Sequence, residues 1–246
     1  GALKILAQRA GVELTFDRQN TAQKSEKDML YAVMEEAAAW FEKQYAIAPA
    51  ATAYVTSRGI NPATRELFRI GYAPEGWRNL YTHLQGKRFT DAIMEKAGLA
   101  KKTEKGYYDR FRDRVMFPIM DSSGRVIAFS GRILHPDEKS AKYLNSPDTP
   151  LYNKSTVLYG IDKAKNEIRI KNYSILVEGQ MDLVLSHQVG IKNTVAVSGT
   201  ALTDTLVQVQ PQGTAAAGSA LEASVLWIVA GRVHAGIRDN SLIRLN

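Results

Sequence analysis

Two carboxylates follow one short apolar run at a spacing that suits a divalent cation. The run is Ile175–Val177. Glu178 comes directly after it, and Asp182 follows four residues later. Gly179, next to Glu178, permits a tight turn from a strand into a helix. Open α/β sheets place their sites at the carboxyl ends of their strands, so both side chains can face one crevice and hold Mg²⁺ or Mn²⁺. In the alternative interpretation Glu178 is a solvated loop residue and Asp182 only complements the helix dipole.

A basic segment rich in aromatic residues precedes this pair of carboxylates in the sequence. From Lys105 to Lys171 the sequence has 13 Lys and Arg residues against eight Asp and Glu residues. Aromatic residues lie among these charges, namely Tyr107, Tyr108, Phe111, Tyr143, Tyr152 and Tyr159. Cations pair with phosphates and rings stack on bases, so the segment favours a nucleic-acid surface. A solvated charged face over core aromatics explains the same composition equally well.

The composition excludes several classes of protein. The 246 residues are 45% hydrophobic and 23% charged, which is typical of a globular protein and excludes disorder as the main state. The chain has no Cys, which excludes disulfides, thiolate zinc sites, iron–sulfur clusters and Cys nucleophiles. Its net charge of +7 indicates a polyanionic partner. Since no apolar run is long enough to span a membrane, we expect a cytoplasmic protein without membrane contact.

Hydrophobic periodicity indicates the elements that must position these residues. Ser25 is expected to cap a helix that extends to Phe41. Two apolar runs, Val115–Ile119 and Val126–Phe129, are joined by a turn sequence and predict a β-hairpin. A strand–helix–strand pattern over 175–197 predicts a parallel unit, and therefore an α/β fold class. Short helices are also predicted over 50–57, 77–84, 90–97 and 158–171, and a structured loop over 135–156.

Several long motifs resemble bacterial DNA primase of the DnaG type. They are YYDRFRDRVMFPI at 107–119, GRVIAFSGR at 124–132, KYLNSPDTPLY and Lys154 at 142–154, VEGQMD at 177–182, and GTALT at 199–203. Shorter matches lie at 30–41, 58–59 and 71–77. The motifs occur in the family's order and cover about residues 1–204, which makes a chance match very improbable.

The resemblance implies the RNA-polymerase core of a primase, with an α+β basic subdomain followed by a Toprim-type parallel α/β subdomain. On that basis residues 1–20 are a linker, 21–157 the basic N-terminal subdomain, 158–204 the start of an incomplete Toprim subdomain, and 205–246 an atypical tail. The implied activity is synthesis of short RNA primers from ribonucleoside triphosphates on a single-stranded DNA template. A replicative helicase is the expected partner of the full-length family member, through a region absent here, and the family's zinc module is absent as well.

The resemblance also implies roles for individual residues. Glu178 and Asp182 match the first acidic pair of the family's metal site and are the expected catalytic residues. Four basic residues match positions assigned to nucleotide or template contacts, namely Arg58, Arg132, Lys142 and Lys154. Five further residues lie in matching motifs and are plausible contacts, namely Arg110, Arg112, Arg114, Tyr143 and Asn145.

The end of the chain departs from the family pattern. The sequence has no Lys after Lys192 and neither Phe nor Tyr after Tyr173. The family's Asp-x-Asp pair is missing after the candidate strand Val225–Ala230, and Glu222 precedes that strand. We therefore predict that the tail is not native primase sequence, through a reading-frame change or a fusion, and that Thr194–Val197 has a badly covered edge. A divergent Toprim end is the alternative.

Two other functions compete with primer synthesis. A catalytically incomplete remnant that only binds single-stranded DNA would explain the missing acidic pair. A Toprim nuclease or topoisomerase relative would share the VEGQMD motif, but it has no need of the basic-subdomain motifs. Metal-dependent primer synthesis distinguishes the first two functions, and DNA cleavage would reveal the third.

Overall fold

The computed structural model describes residues 18–135, 140–197, 224–229, 232–236 and 242–244, with side chains described within 23–135 and 140–197. Its helices are α1 (Arg18–Ala46), α2 (Pro49–Ser57), α3 (Pro62–Leu67), α4 (Asn79–Gly86), α5 (Asp91–Lys96), α6 (Ile161–Lys171) and α7 (Gln180–Gln188). Its strands are β1 (Gly71–Ala73), β2 (Ala100–Thr103), β3 (Gly106–Asp109), β4 (Arg114–Met120), β5 (Val126–Ile133), β6 (Tyr143–Asn145), β7 (Tyr173–Val177), β8 (Thr194–Ala196), β9 (Ser224–Val229), β10 (Arg232–Gly236) and β11 (Leu242–Arg244).

An antiparallel sheet of four strands, in the order β1-β4-β5-β6, forms the centre of the first part of the chain. The predicted hairpin is confirmed as β4 and β5, and the Asp121 carboxylate accepts hydrogen bonds from the N–H groups of Ser123 and Arg125 in its turn. Every residue of β4 is buried because both faces of the sheet are covered. Alternate β4 residues belong to two different apolar clusters, one on each face.

Helix α1 covers one face of this sheet. Phe41 packs edge-on against Phe129 of β5, with ring centroids 5.2 Å apart. Gly71 of β1 approaches the same helix so closely that a Cβ there would lie 2.6 Å from the Cβ of Phe41. The prediction that Ser25 caps this helix is wrong, since the helix already begins at Arg18.

Helix α7 covers the opposite face, and strand β7 of the second sheet packs there as well. Val177, Met181 and Val184 share an apolar cluster with Phe117 and Ala128 of the antiparallel sheet. The predicted strand–helix–strand unit is confirmed as β7, α7 and β8, with β7 and β8 parallel. Buried His187 strengthens the unit because its Nε2–H donates to the carbonyl of Thr194 over 2.9 Å, and burial lowers the pKa of its imidazole.

The parallel sheet continues into the tail. Its order is β11-β10-β9-β7-β8, and β9, which is the candidate strand of the tail, pairs in parallel with β7. The prediction of a badly covered edge at β8 needs correction, because Tyr159 exchanges two backbone hydrogen bonds with Ala196 on that side. Glu222 and Asp239 lie outside the described residues.

Some short elements were not predictable from periodicity. Strands β1, β2, β3 and β6 have three or four residues each, and β6 lies inside the predicted loop over 135–156. Helix α4 begins two residues later than expected, and α6 begins at Ile161 because Gly160 adopts a left-handed conformation (φ +80°) against Leu183. Among the described residues, none of the helices combines the length and apolarity that a membrane crossing requires.

Candidate metal and nucleic-acid site

The acid pair lies at the carboxyl end of β7. Glu178 and Asp182 are both exposed, and Asp182 lies in the first turn of α7, which begins after Gly179. One Asp182 oxygen lies only 3.3 Å from the position that a Cβ on Gly179 would take, so this carboxylate folds back over the turn. The arrangement therefore keeps two hard oxygen donors at one strand end.

The described residues of the neighbouring strand, β9, bring no further carboxylate to this end of the sheet. Val177 of β7 pairs with Ile228 of β9, so Val229, the last described residue of β9, lies at the same edge as Glu178. The sequence over Val229–Arg232 has no Asp or Glu. Within the part of the chain that the structure describes, no group of three or more Asp, Glu or His side chains could hold a metal ion. Two carboxylates fit a weakly held, mostly hydrated Mg²⁺ or Mn²⁺.

Two predicted cations meet around one aromatic ring. The Arg132 guanidinium lies 5.4 Å from the ring centroid of Tyr54 and 5.2 Å from that of Tyr143, and it donates to the Tyr143 hydroxyl over 2.8 Å. Arg58 approaches the same Tyr54 ring at 5.7 Å. The structure thus brings Arg58, Arg132 and Tyr143 together as a cation–aromatic cluster.

Asp182 lies within electrostatic range of Tyr143, a member of this cluster. Burial raises the pKa of Tyr143, Arg132 opposes that shift, and the charge of Asp182 lies near enough to raise it further. The far end of α7 holds the loop of Arg58, because the Gln188 side chain donates to the carbonyl of Gly59 over 2.8 Å and accepts from the N–H of Asn61 over 2.9 Å. Helix α7 therefore has Asp182 in its first turn and contacts the loop of Arg58 at its other end.

The other predicted residues divide into buried supports and exposed side chains. Arg114 is 7% exposed and donates to the carbonyls of Gly131 and Ala141, while half-buried Arg110 donates twice to the carbonyl of Asn145. Burial also lowers the pKa of Arg110. These two arginines and Asn145 therefore support the β5–β6 region from within. Lys142 and Lys154, in contrast, are exposed on the loops around β6.

One functional candidate was missed by the sequence analysis. Trp77 is 64% exposed, and the Arg112 guanidinium lies 4.3 Å from its ring centroid and 5.3 Å from that of Tyr108. The two rings meet edge-on at 5.4 Å. An exposed Trp that holds an Arg is a platform on which bases can stack. The signal was present in the sequence, since Trp77 ends the motif at 71–77, but the sequence does not reveal its exposure.

Asp109 organises the loop beneath this platform. Its buried carboxylate accepts from the N–H groups of Leu80 and Tyr81, over 2.9 and 2.8 Å, and so caps α4 from a distance. Its own N–H donates to the carbonyl of Trp77 over 2.7 Å, and its carbonyl accepts from Arg112. Burial raises the pKa of the Asp109 carboxyl to about 6, although the backbone N–H groups partly oppose this shift.

We expect Asp109 to make the chain less stable as the pH rises from about 4 to about 6. The folded carboxyl binds its proton more tightly than the unfolded one, so ionisation costs folding free energy, up to roughly 3 kcal/mol across this window. Asp109→Asn keeps an oxygen acceptor but does not titrate. Urea denaturation at several pH values should therefore give a flatter stability profile for the variant. Identical slopes for both chains would contradict this assignment.

Comparison with known proteins identifies relatives for most of the chain. A family profile described as "DNA primase catalytic core, N-terminal domain" matches residues 40–165. A DNA primase of Clostridium acetobutylicum is 42% identical over 205 residues, which are 82% of this chain and 34% of that protein. A DNA primase of Streptomyces coelicolor is 38% identical over 206 residues, covering 81% of this chain and 32% of that protein. The chain thus spans about a third of the length of these curated relatives.

Solved structures match the fold as well. The RNA polymerase domain of Mycobacterium tuberculosis primase DnaG, in complex with a double-stranded DNA oligomer with a 6-nucleotide overhang, has a TM-score of 0.70 at 37% identity and covers 73% of this chain and 57% of that one. A DnaG primase catalytic domain bound to single-stranded DNA has a TM-score of 0.69 at 36% identity, covering 76% and 60%. The expected α/β fold class and the expected resemblance are both confirmed.

Proposed function

This chain belongs to the family of DNA primase catalytic cores, and on that premise we propose that it is part of an enzyme that synthesises short RNA primers on single-stranded DNA during replication. The observation that carries the proposal is the cluster of Arg58, Arg132 and Tyr143 on one side and, joined to the strand of Arg132 by the Gln180–Ser130 hydrogen bond, the turn that bears the acid pair. Such a pairing of carboxylates with cations suits a nucleoside triphosphate, whose phosphates need both a divalent cation and positive side chains.

In this proposal each group has a separate task. Glu178 and Asp182 hold Mg²⁺ or Mn²⁺, which when bound neutralises charge on the pyrophosphate leaving group. Arg132 and Arg58 bind the phosphates of the incoming ribonucleotide, and the Tyr54 ring between them keeps both guanidinium groups in place. Tyr143 orients Arg132 by accepting its hydrogen bond.

In the same proposal the template strand binds the surface around Trp77. Trp77 and Tyr108 offer stacking surfaces, Arg112 offers a charge between them, and exposed Lys142 and Lys154 offer phosphate contacts. We assign residues 21–157 to this basic subdomain and residues 158–204 to a Toprim-type subdomain. The further partners follow from family membership alone: ribonucleoside triphosphates, and a primosome with a replicative helicase in the cytoplasm.

Binding of single-stranded DNA tests the proposal directly. We expect the affinity, followed by fluorescence anisotropy of a labelled oligonucleotide, to fall steeply as salt rises from about 50 to about 200 mM, because bound phosphates release counterions. A double-stranded oligonucleotide of the same length serves as the comparison. Binding that is independent of salt, or no binding, would contradict a phosphate-directed surface.

We expect the 246-residue chain by itself to make no primers with Mg²⁺. The sequence that follows Ile228, the partner of Val177, has no carboxylate over Val229–Arg232, so we expect the metal site to lack ligands that a polymerase needs. This accords with our hypothesis that the tail after about residue 204 is not native primase sequence. A templated assay with labelled ribonucleotides and a full-length family member as positive control gives the measurement. Primers made by the purified chain would overturn both the expectation and the hypothesis.

A further inference from the structure

One hydrogen bond joins the acid-bearing turn to the antiparallel sheet. The Gln180 side-chain amide donates from Nε2 to the Ser130 hydroxyl over 3.0 Å. Both side chains are shielded from water, since Gln180 is 3% exposed and Ser130 is fully buried. Gln180 lies midway between Glu178 and Asp182 in the sequence, so this bond anchors the middle of the turn that carries both carboxylates.

The other end of the bond lies on the strand that carries the nucleotide-site arginine. Ser130 precedes Arg132 by two residues on β5, and alternate residues of a strand point to the same side. In the β5–β6 ladder Ser130 pairs with Asn145, and Arg132 pairs with Tyr143. The Gln180–Ser130 bond therefore connects the anionic and the cationic halves of the proposed site through one rigid sheet.

The surroundings of the bond are apolar. Val177 and Met181, on either side of the turn, pack with Phe117 and Ala128 in one buried cluster. Apolar contacts are not directional, and they tolerate a small sliding of one surface over another. A buried hydrogen bond between two side chains selects one position, because any displacement leaves a polar atom unpaired in an apolar interior.

We propose that Gln180 and Ser130 are positioning residues that hold the Glu178 and Asp182 carboxylates at a fixed place relative to Arg132. Glu178 is exposed, so the backbone of the turn, and not packing of its own side chain, determines where its oxygens lie. This inference rests on the proposed metal-holding role of the acid pair. It assigns a task to two residues that touch neither metal nor nucleotide.

The test separates positioning from stability with three variants. Ser130→Ala and Gln180→Met each leave one buried polar group without its partner, so each should lower the urea midpoint of unfolding. Each should also weaken Mn²⁺ affinity by about tenfold, because the turn that carries both carboxylates is no longer held in one position. The Ser130→Ala/Gln180→Met double variant has an apolar pair in the interface and should regain stability, while its Mn²⁺ affinity stays low.

A matched control uses the glutamine at the other end of the same helix. Gln188→Met removes two hydrogen bonds between α7 and the loop of Arg58, so it should lower stability while Mn²⁺ affinity changes by less than about twofold. Mn²⁺ affinity is measured by water-proton relaxation on the folded 246-residue chain. If the double variant recovers affinity together with stability, or if the single variants keep full affinity, the positioning role is overturned.

The same titration distinguishes failure of this inference from failure of the proposed metal site. An unaltered chain that binds Mn²⁺ with an affinity unaffected by Ser130→Ala overturns the positioning role alone. An unaltered chain that binds no Mn²⁺ overturns the metal site, and the positioning role fails with it.

Discussion

Replacing Trp77 and Arg112 together by Ala is expected to weaken the binding of single-stranded DNA by about 2–4 kcal/mol, or roughly 30- to 1,000-fold, since a stacked base and a paired cation are both lost. Trp77 is exposed and Arg112 lies on its ring, so the substitutions remove a surface and not a core contact. Anisotropy titrations with a labelled oligonucleotide at fixed salt give the measurement. Trp77→Phe keeps a stacking ring and should recover part of the loss.

A matched pair elsewhere on the molecule provides the control. Arg125 lies 3.9 Å from the ring centroid of Tyr31 beside the β4–β5 turn, with the same chemistry but outside the proposed template path. Arg125→Ala/Tyr31→Ala should therefore affect binding by less than about 1 kcal/mol, as loss of one peripheral charge does. Equal losses from both double variants would show that net charge, and not the Trp77 platform, carries the binding.

Arg110→Ala is a poor probe of DNA binding, because the Arg110 side chain donates to the carbonyl of Asn145 in the interior.

The second large effect concerns the acid pair. Glu178→Gln is expected to abolish detectable Mn²⁺ binding, and Asp182→Asn to weaken it at least about tenfold, because a hydrated cation held by two carboxylates loses half of its protein charge. Both residues are exposed, so the free energy of unfolding should change by less than about 1 kcal/mol. Water-proton relaxation measures the binding, and urea denaturation checks the fold.

Glu104→Gln is the matched control for this experiment. Glu104 is an exposed carboxylate in the segment between β2 and β3, so it tests whether a single surface charge alone alters Mn²⁺ binding. We expect no change in affinity. Binding that persists in Glu178→Gln would mean that other ligands hold the ion, and the metal site would then have to be assigned elsewhere in the chain.

The elements with strong local signals were predictable. The β4–β5 hairpin has two apolar runs around a turn whose Asp121 bonds its own loop, and the β7–α7–β8 unit has a strand end, a glycine and a helical pattern in succession. The position of Glu178 and Asp182 after β7 and in the first turn of α7 was predictable for the same reason, because the strand, the glycine and the helix are adjacent in the sequence. Strands β2 and β6 were not, since they have only three or four residues each and their conformation depends on pairing, β2 with the next strand in the chain and β6 with β5.

The sequence by itself therefore determined the family, the fold class and which residue types could hold metal and phosphate. Only the tertiary structure decided the surroundings of each arginine: Arg132 contacts two aromatic rings, whereas Arg114 is buried in β4 and donates to backbone carbonyls. It also decided that Trp77 faces solvent and that Gln180 bonds Ser130. The physical reason is that residue chemistry is a local property, while burial and the identity of a hydrogen-bond partner depend on segments that meet only after the chain has folded.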